Sequence, residues 1–70
     1  MNNTPQQIFG KRVHDLRKII NISQEELAFR SNLNRNYISD IECGRRNVSL
    51  NAIYALAKGL NVTVDTLFIK

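Results

Sequence analysis

The stretch SQEELAFRSNLNRNYISDIE, residues 23–42, contains two short helical patterns joined by a turn. Ser23 followed by Glu26 forms a capping box, in which each side chain bonds the other residue's backbone amide, so a helix is predicted to begin at the next residue. Asn32 tolerates the left-handed conformation of a tight turn, and Asn34 can cap a second helix. The sequence therefore predicts two helices separated by a turn of about three residues.

The second of these helices has two unlike faces. At about 100° per residue, Ile38 and Ile41 point one way, whereas Asn36, Ser39 and Asp40 point the other. A polar outward face on a short helix that follows a tight turn is typical of helix-turn-helix proteins, which set this helix in the major groove of DNA. A plain helical hairpin carries the same capping signals and stays open as the alternative.

Further helices are predicted on both sides of this unit. Thr4 can cap a first helix, Ser49 can cap a fourth, and Thr63 can start a short fifth. The core-facing stripe of the first helix comprises Phe9, Val13, Leu16 and Ile20. The corresponding stripe of the fourth comprises Leu50, Ile53, Leu56, Ala57 and Leu60. The predicted fold class is all-α, a compact five-helix domain with a helix-turn-helix unit at about residues 23–43.

The composition fits one small globular domain over residues 1–70, since 43% of the residues are hydrophobic. Ten Lys and Arg residues against six Asp and Glu residues give a net charge of +4. Such a surface suits a polyanionic partner, although a basic balance also serves simple solubility. The sequence has neither an apolar leader nor a run of about 18 apolar residues, so we expect a cytoplasmic protein without a membrane partner.

Catalytic and metal-binding chemistry has little support in the composition. His14 is the only histidine and Cys43 the only cysteine, which excludes an internal disulfide and a Cys/His zinc site. Without a convergent acid, base and nucleophile, we expect no enzyme activity, no cofactor and no small-molecule substrate. We expect His14 at the surface and Cys43 on the outer face of the third helix, where no partner would activate its thiol.

Four segments carry a resemblance to a known family: SQEELA, SNLNR, the YIS and IE residues of the third helix, and GRRNVSL. Together they resemble the phage repressor and Cro-like (Xre-type) helix-turn-helix regulators, and most closely the controller proteins of restriction-modification systems. The similarity covers roughly residues 8 to 68. It implies a lambda-repressor-like five-helix fold and a homodimer on a near-palindromic double-stranded DNA operator. It further implies control of transcription, often of the protein's own gene and a neighbouring endonuclease gene, by blocking or recruiting RNA polymerase.

The resemblance also implies DNA contacts at eight positions: Gln24, Arg35, Asn36, Tyr37, Ser39, Arg45, Arg46 and Asn47. Arg35 and Asn36 match the base-reading start of the third helix, and their side chains can pair with guanine and adenine edges. Gln24 matches a contact to the DNA backbone, and the loop residues 45–47 are well placed for phosphates. Tyr37 is equally compatible with a half-buried anchor. Asp40 departs from the family's pattern and is left out of the site, because a carboxylate near phosphates repels them.

Two further roles concern the assembly of the protein. Arg17 and Glu42 match an ion pair with which the family links the first helix to the third. The C-terminal part carries more apolar surface than a core of this size should need, so we expect part of it to meet a second subunit. The expected dimer residues are Ile53, Tyr54, Leu67, Phe68 and Ile69. The alternative is that all of them belong to the core of one chain.

Two other functions stay open at this point. A phage-type repressor, or an antitoxin that regulates its own operon, would use the same DNA-binding unit. A protein-interaction module would instead present the polar face of the third helix to another protein. Binding to duplex DNA that weakens steeply as salt rises would separate the DNA-binding proteins from the interaction module.

Overall fold

A computed structural model describes residues 3–68 of the chain, and within them it contains four α-helices and one 3-10 helix but no strand. The α-helices are α1 (Pro5–Ile19), α2 (Gln24–Ser31), α3 (Arg35–Glu42) and α4 (Leu50–Leu60). The all-α class is as predicted, whereas the expectation of five α-helices is wrong. The last segment, Val64–Phe68, is a 3-10 helix, the tighter form in which short terminal pieces commonly end a fold. No helix in the described part is long and apolar enough to cross a membrane.

Local capping signals set the helix starts. The side chains of Thr4, Ser23, Asn34 and Ser49 each accept a hydrogen bond from a backbone amide in the first turn of the helix that follows. The second half of the capping box predicted at Ser23 does not form. The Glu26 carboxylate instead accepts a hydrogen bond from Arg30 Nε at 2.9 Å, one turn further along α2. The Glu26 carboxylate thus binds a charged side chain four residues later instead of the neutral backbone amide of Ser23.

Three asparagines and one glycine terminate the helices. Asn21, Asn32 and Asn61 have φ angles of 58°, 54° and 58°, and Gly44 has a φ of 73°. Asparagine and glycine adopt this left-handed conformation most readily, which lets the chain reverse while the last carbonyl groups of each helix keep their hydrogen bonds. These residues produce the short connections that place α2 and α3 against one another.

The core lies between the inner faces of all four helices and the 3-10 segment. Seven side chains are almost completely buried: Val13, Leu27, Ile38, Ile41, Leu56, Leu60 and Leu67. Two positions of the predicted apolar stripes do not belong to this core. Ile20 and Leu50 are exposed because they lie at the two helix ends, the C-cap of α1 and the first turn of α4.

Two glycines allow helices to pack closely. A Cβ atom at Gly10 would overlap the backbone carbonyl oxygen of Ile41, so α1 contacts the backbone of α3 directly. A Cβ atom at Gly59 would overlap the Ser31 hydroxyl, which is buried where α2 packs on α4. Both contacts hold the helix-turn-helix unit tightly against the rest of the domain.

Candidate nucleic-acid interface

Helix α3 presents an outward face on a buried support. Ile38 and Ile41 are buried in the core, whereas Arg35 and Asn36 in the first turn are exposed. The cap residue Asn34 accepts a hydrogen bond through Oδ1 from the Asn36 backbone amide at 2.7 Å. Because the buried side of the helix is fixed by packing, its outer side is held in place without support from a ligand.

The first turn of α3 combines the two side chains that were assigned to base reading. Arg35 has no side-chain hydrogen bond or ion pair among residues 3–68, and the Asn36 side chain likewise has no partner there. Ser39, one turn later, is half-buried. Unpaired guanidinium and amide groups at the start of an exposed helix can form the bidentate hydrogen bonds that distinguish guanine and adenine in a major groove.

Tyr37 lies at the border between the core and the outer face. Its hydroxyl oxygen accepts a hydrogen bond from the Ser49 backbone amide at 3.4 Å, and the Arg46 guanidinium carbon lies 4.9 Å from the ring centre. The latter distance is within the range of a cation–π contact. Tyr37 therefore connects α3 to the loop that follows it. Besides this structural role, Tyr37 lies beside the candidate interface.

The loop after α3 carries its arginines back toward that helix. The left-handed Gly44 reverses the chain, and the Arg45 amide donates to the Asp40 carbonyl oxygen at 2.9 Å. The Asp40 carboxylate then accepts one hydrogen bond from each arginine, through Oδ1 from Arg45 Nη2 at 3.2 Å and through Oδ2 from Arg46 Nη2 at 3.3 Å. Sequence reasoning missed this role of Asp40. A carboxylate five and six residues before two arginines, across a glycine helix end, was the available signal.

Asn47 ends the basic loop and is exposed. Its side-chain oxygen accepts a hydrogen bond from Gln6 Nε2, which ties the loop to the first turn of α1. No local pattern pointed to Gln6, because the two residues are 41 positions apart. The loop is thus held at three places: by Asp40, by Tyr37 and by Gln6.

Beneath the interface, Glu42 joins three elements through its carboxylate. Arg17 Nε donates to Oε2 at 2.7 Å and Arg17 Nη2 to Oε1 at 3.0 Å, and Gln24 Nε2 donates to Oε1 at 3.1 Å. His14 Nδ1 also lies 3.0 Å from Oε1. His14 is half-exposed, as expected of a surface residue, but its ring also reaches Glu42 from α1, a contact that the sequence did not indicate. Gln24, assigned to the DNA backbone, is committed to the same carboxylate.

Burial and hydrogen bonding act in opposite directions on this carboxylate. Burial raises the pKa of Glu42, but the hydrogen bonds from Arg17, His14 and Gln24 and the Arg17 charge outweigh it and hold the pKa below its ordinary value. The hydrogen bond to Glu42 in turn raises the pKa of Arg17, against the effect of burial. The pair is therefore ionised in the folded protein at neutral pH.

The residues expected at a dimer interface divide into four groups. Tyr54 and Phe68 are each 60% exposed, and Ile53 is half-buried against the core. Leu67 is only 1% exposed, so its assignment to a dimer interface needs correction: its side chain fills the core of its own chain. Ile69 lies outside the described residues. The exposed Leu50, 68% accessible at the start of α4, is a further apolar residue of this region.

Residues 3–68 contain no cluster of three or more His, Cys, Asp or Glu side chains suited to holding a metal ion. Cys43 is exposed as a free thiol at the C-terminal end of α3. The basic and polar groups on α3 and its loop thus form the candidate site, with a duplex polyanion as the ligand that they suit.

Comparison with known proteins identifies proteins that are similar to this chain in sequence and in fold. A family profile described as helix-turn-helix matches residues 13–67. Control protein C.BamHI of Bacillus amyloliquefaciens is 49% identical over 63 residues, which cover 89% of this chain and 78% of that protein. The crystal structure of the restriction-modification controller protein C.AhdI from Aeromonas hydrophila superposes with a TM-score of 0.88 at 44% identity, covering 90% of this chain and 96% of that one.

A third similar structure includes nucleic acid. The restriction-modification controller protein C.Esp1396I has been solved as a tetramer in complex with its natural 35 base-pair operator. It superposes on this chain with a TM-score of 0.84 at 33% identity, over 90% of this chain and 83% of that one. The family match and these relatives cover the same helices that carry the candidate interface.

Proposed function

The chain belongs to the helix-turn-helix family and is homologous to restriction-modification controller proteins, and from this we propose that it binds a near-palindromic DNA operator as a homodimer. In this proposal it is a sequence-specific regulator of transcription that acts on its own promoter and on a neighbouring endonuclease gene. The protein would work in the cytoplasm, where it would block RNA polymerase or recruit it according to the position of the operator. Its relatives regulate transcription, and we propose no catalysis.

One observation carries the proposal: the unpaired Arg35 and Asn36 side chains lie exposed on α3, whose opposite side is fixed by Ile38 and Ile41. Rigid support matters because a base-reading side chain must meet a base edge within hydrogen-bonding distance. Arg45 and Arg46 lie just beyond the same helix. Such loop arginines can bind phosphates and so set the register of the helix in the groove.

Dimerisation is supported by the exposed apolar side chains of α4 and the 3-10 segment, Tyr54 and Phe68. A two-fold dimer places two copies of α3 in successive major grooves, with half-site centres about 10 bp apart. Neutral residues at such an interface would leave the basic face of each subunit free for DNA. The related controller protein C.Esp1396I binds its natural operator as a tetramer, which supports the binding of several subunits to one operator.

The experiment that tests the proposal is selection of bound sequences from a random duplex pool, using the whole chain, followed by titration of the enriched duplex. We expect an inverted repeat with half-sites about 10 bp apart and binding that weakens steeply with salt. A pool that shows no enrichment, together with no retention of duplex at low salt, would reject DNA binding. Enrichment of a single unrepeated site would retain DNA binding and reject the symmetric dimer.

A further inference from the structure

We propose that Asp40 limits the sequence-independent affinity of this protein for DNA by competing with phosphate groups for Arg45 and Arg46. The inference rests on the proposed function and adds a residue that tunes it. Asp40 is the one carboxylate on the outer face of α3 within the described chain, and both of its oxygens are occupied by loop arginines.

The geometry makes Asp40 an internal substitute for a phosphate. Each carboxylate oxygen accepts from one Nη2 atom, at 3.2 Å for Arg45 and 3.3 Å for Arg46. A phosphate group offers the same pair of anionic oxygens to guanidinium groups. The arginine side chains remain 62% and 50% exposed, so they can be reached by DNA without any change in the fold. Binding to phosphate must then exchange or share at least one of these hydrogen bonds.

The position of Asp40 along the helix argues against direct base reading. At 1.5 Å per residue, Asp40 lies about 7.5 Å along α3 from Arg35. The N-terminal residues of a recognition helix meet the base edges, so this distance places Asp40 toward the DNA backbone. A carboxylate can read a base by accepting from cytosine N4, but each oxygen of Asp40 already accepts a hydrogen bond from a loop arginine, which would compete with a base for it.

Asp40 should lower the affinity for every DNA sequence by a similar factor. Exposed ion pairs are weak individually, so Asp40 lowers the affinity without preventing binding. The loss of binding free energy is the same on every duplex, because phosphates are present in every sequence. Base contacts by Arg35 and Asn36 consequently account for a larger share of the total binding energy than they would without Asp40. A regulator with this residue spends less of its time on non-specific DNA.

The test compares Asp40→Asn with the unaltered chain by fluorescence anisotropy, on the selected operator and on a scrambled duplex of equal length. We expect Asp40→Asn to bind both duplexes roughly three- to tenfold more tightly. The slope of log affinity against log salt should become steeper by about one. Asp40→Ala should behave in the same way, and circular dichroism should show unchanged helix content for both variants.

Two controls separate the mechanism from simpler effects. Asp15→Asn removes the same charge from an exposed pair with Lys11 on α1, and it should leave both affinities nearly unchanged. An equal gain from Asp15→Asn would overturn the proposal in favour of net charge. In a chain that carries Arg45→Ala and Arg46→Ala, we expect Asp40→Asn to have almost no effect. A gain that persists there would mean that the carboxylate repels DNA directly, and it would overturn competition for the arginines.

The remaining outcomes are also decisive. Unchanged affinity of Asp40→Asn on both duplexes would overturn the proposal while leaving the DNA-binding function intact, provided that the unaltered chain prefers its operator. Altered preference at one base pair without a gain on the scrambled duplex would make Asp40 a base-reading residue instead. An unaltered chain that binds neither duplex would remove the proposed function and the role of Asp40 together, whereas equal binding to the two duplexes would remove only the sequence specificity.

Discussion

Arg17 and Glu42 are joined by two hydrogen bonds, from Nε to Oε2 at 2.7 Å and from Nη2 to Oε1 at 3.0 Å. Their side chains are 10% and 5% exposed, respectively. Arg17 also donates through Nη1 to the Ile22 carbonyl oxygen at 2.8 Å, at the approach to α2. The pair therefore connects the last residue of α3 to α1 and to the start of the helix-turn-helix unit, beneath the surface that we assign to DNA.

Replacing Glu42 with alanine should strongly destabilise the fold. Removal of one partner of a buried pair leaves the other charge uncompensated, at a cost of about 3 kcal/mol in the free energy of unfolding. For a domain of this size the melting temperature should fall by roughly 10 °C or more. Chemical and thermal denaturation followed by circular dichroism measure both quantities. The matched control Glu25→Ala, at an exposed position, should change the free energy of unfolding by less than about 1 kcal/mol. Equal melting temperatures for Glu42→Ala and the unaltered chain would refute the role of the pair.

The same carboxylate should make stability depend on pH under acidic conditions. The folded-state pKa of Glu42 is held below the ordinary value of 4.5, so its contribution is present above about pH 4.5 and is lost as the pH falls through the folded-state pKa. The unfolded chain takes up this proton first, and the folded chain then becomes less stable. Glu42→Gln cannot titrate, so the difference in unfolding free energy between it and the unaltered chain should shrink below pH 4.5. A difference that stays constant from neutral pH to pH 3 would contradict the assignment.

Arg35→Ala should alter sequence preference as well as affinity. Loss of a bidentate contact to guanine costs about 1 to 3 kcal/mol and relaxes the base requirement at one operator position. Repeating the random-pool selection with the variant measures both effects. Arg30→Ala removes an arginine whose guanidinium is paired with Glu26 on α2, and it should retain the original consensus. An unchanged consensus and affinity for Arg35→Ala would place the reading surface elsewhere.

Arg46→Ala should weaken binding to all duplexes by a similar factor. Arg46 lies on the loop after α3, over the Tyr37 ring, and we propose that it contacts a phosphate rather than a base edge. The slope of log affinity against log salt should become shallower by about one. Titrations of operator and scrambled duplex at several salt concentrations test this expectation. Loss of affinity confined to the operator would mean that Arg46 reads bases.

A carboxylate at Tyr54 or Phe68 should dissociate the proposed dimer. Both side chains are 60% exposed in the single chain, so Tyr54→Asp and Phe68→Asp should fold, whereas a dimer would bury the new charge. Sedimentation velocity should show monomers at concentrations at which the unaltered chain is dimeric, and operator affinity should fall because a monomer meets one half-site. Phe29→Asp is a stringent control, since Phe29 is 83% exposed on α2 and should leave the dimer intact. Dissociation by Phe29→Asp alone would move the interface to α2.

Helix ends could be predicted from the sequence because their signals are local. The capping side chain of Ser49 and the left-handed Asn32 act within a few residues of their own positions, and both appear where the pattern indicated. The side chains of Leu67 and Phe68 could not be assigned in this way. They were assigned together from the excess of apolar residues near the C-terminus, and such an excess does not indicate which of two adjacent apolar side chains the core buries.

Contacts between distant segments account for the rest of what was missed. His14 reaches Glu42 across 28 residues, and Arg12 Nε donates to the Thr66 carbonyl oxygen across 54 residues. Such pairs depend on how α1 packs against α3 and the 3-10 segment, which no periodicity encodes. The positions assigned to DNA binding, by contrast, are mostly close in sequence on α3 and its loop. Their placement on one surface therefore follows from a single helix and its end.

The direct contact between Gly10 and the Ile41 carbonyl oxygen limits how α3 can respond to different operators. Where helices meet through long side chains, rotamer changes can absorb small tilts between them, but a backbone contact has no rotamers to change. The protein would thus enter the groove as a stiff body, and any mismatch in groove width would have to be absorbed by bending or twisting of the DNA. Operators that deform easily would then be favoured at base pairs that no side chain touches.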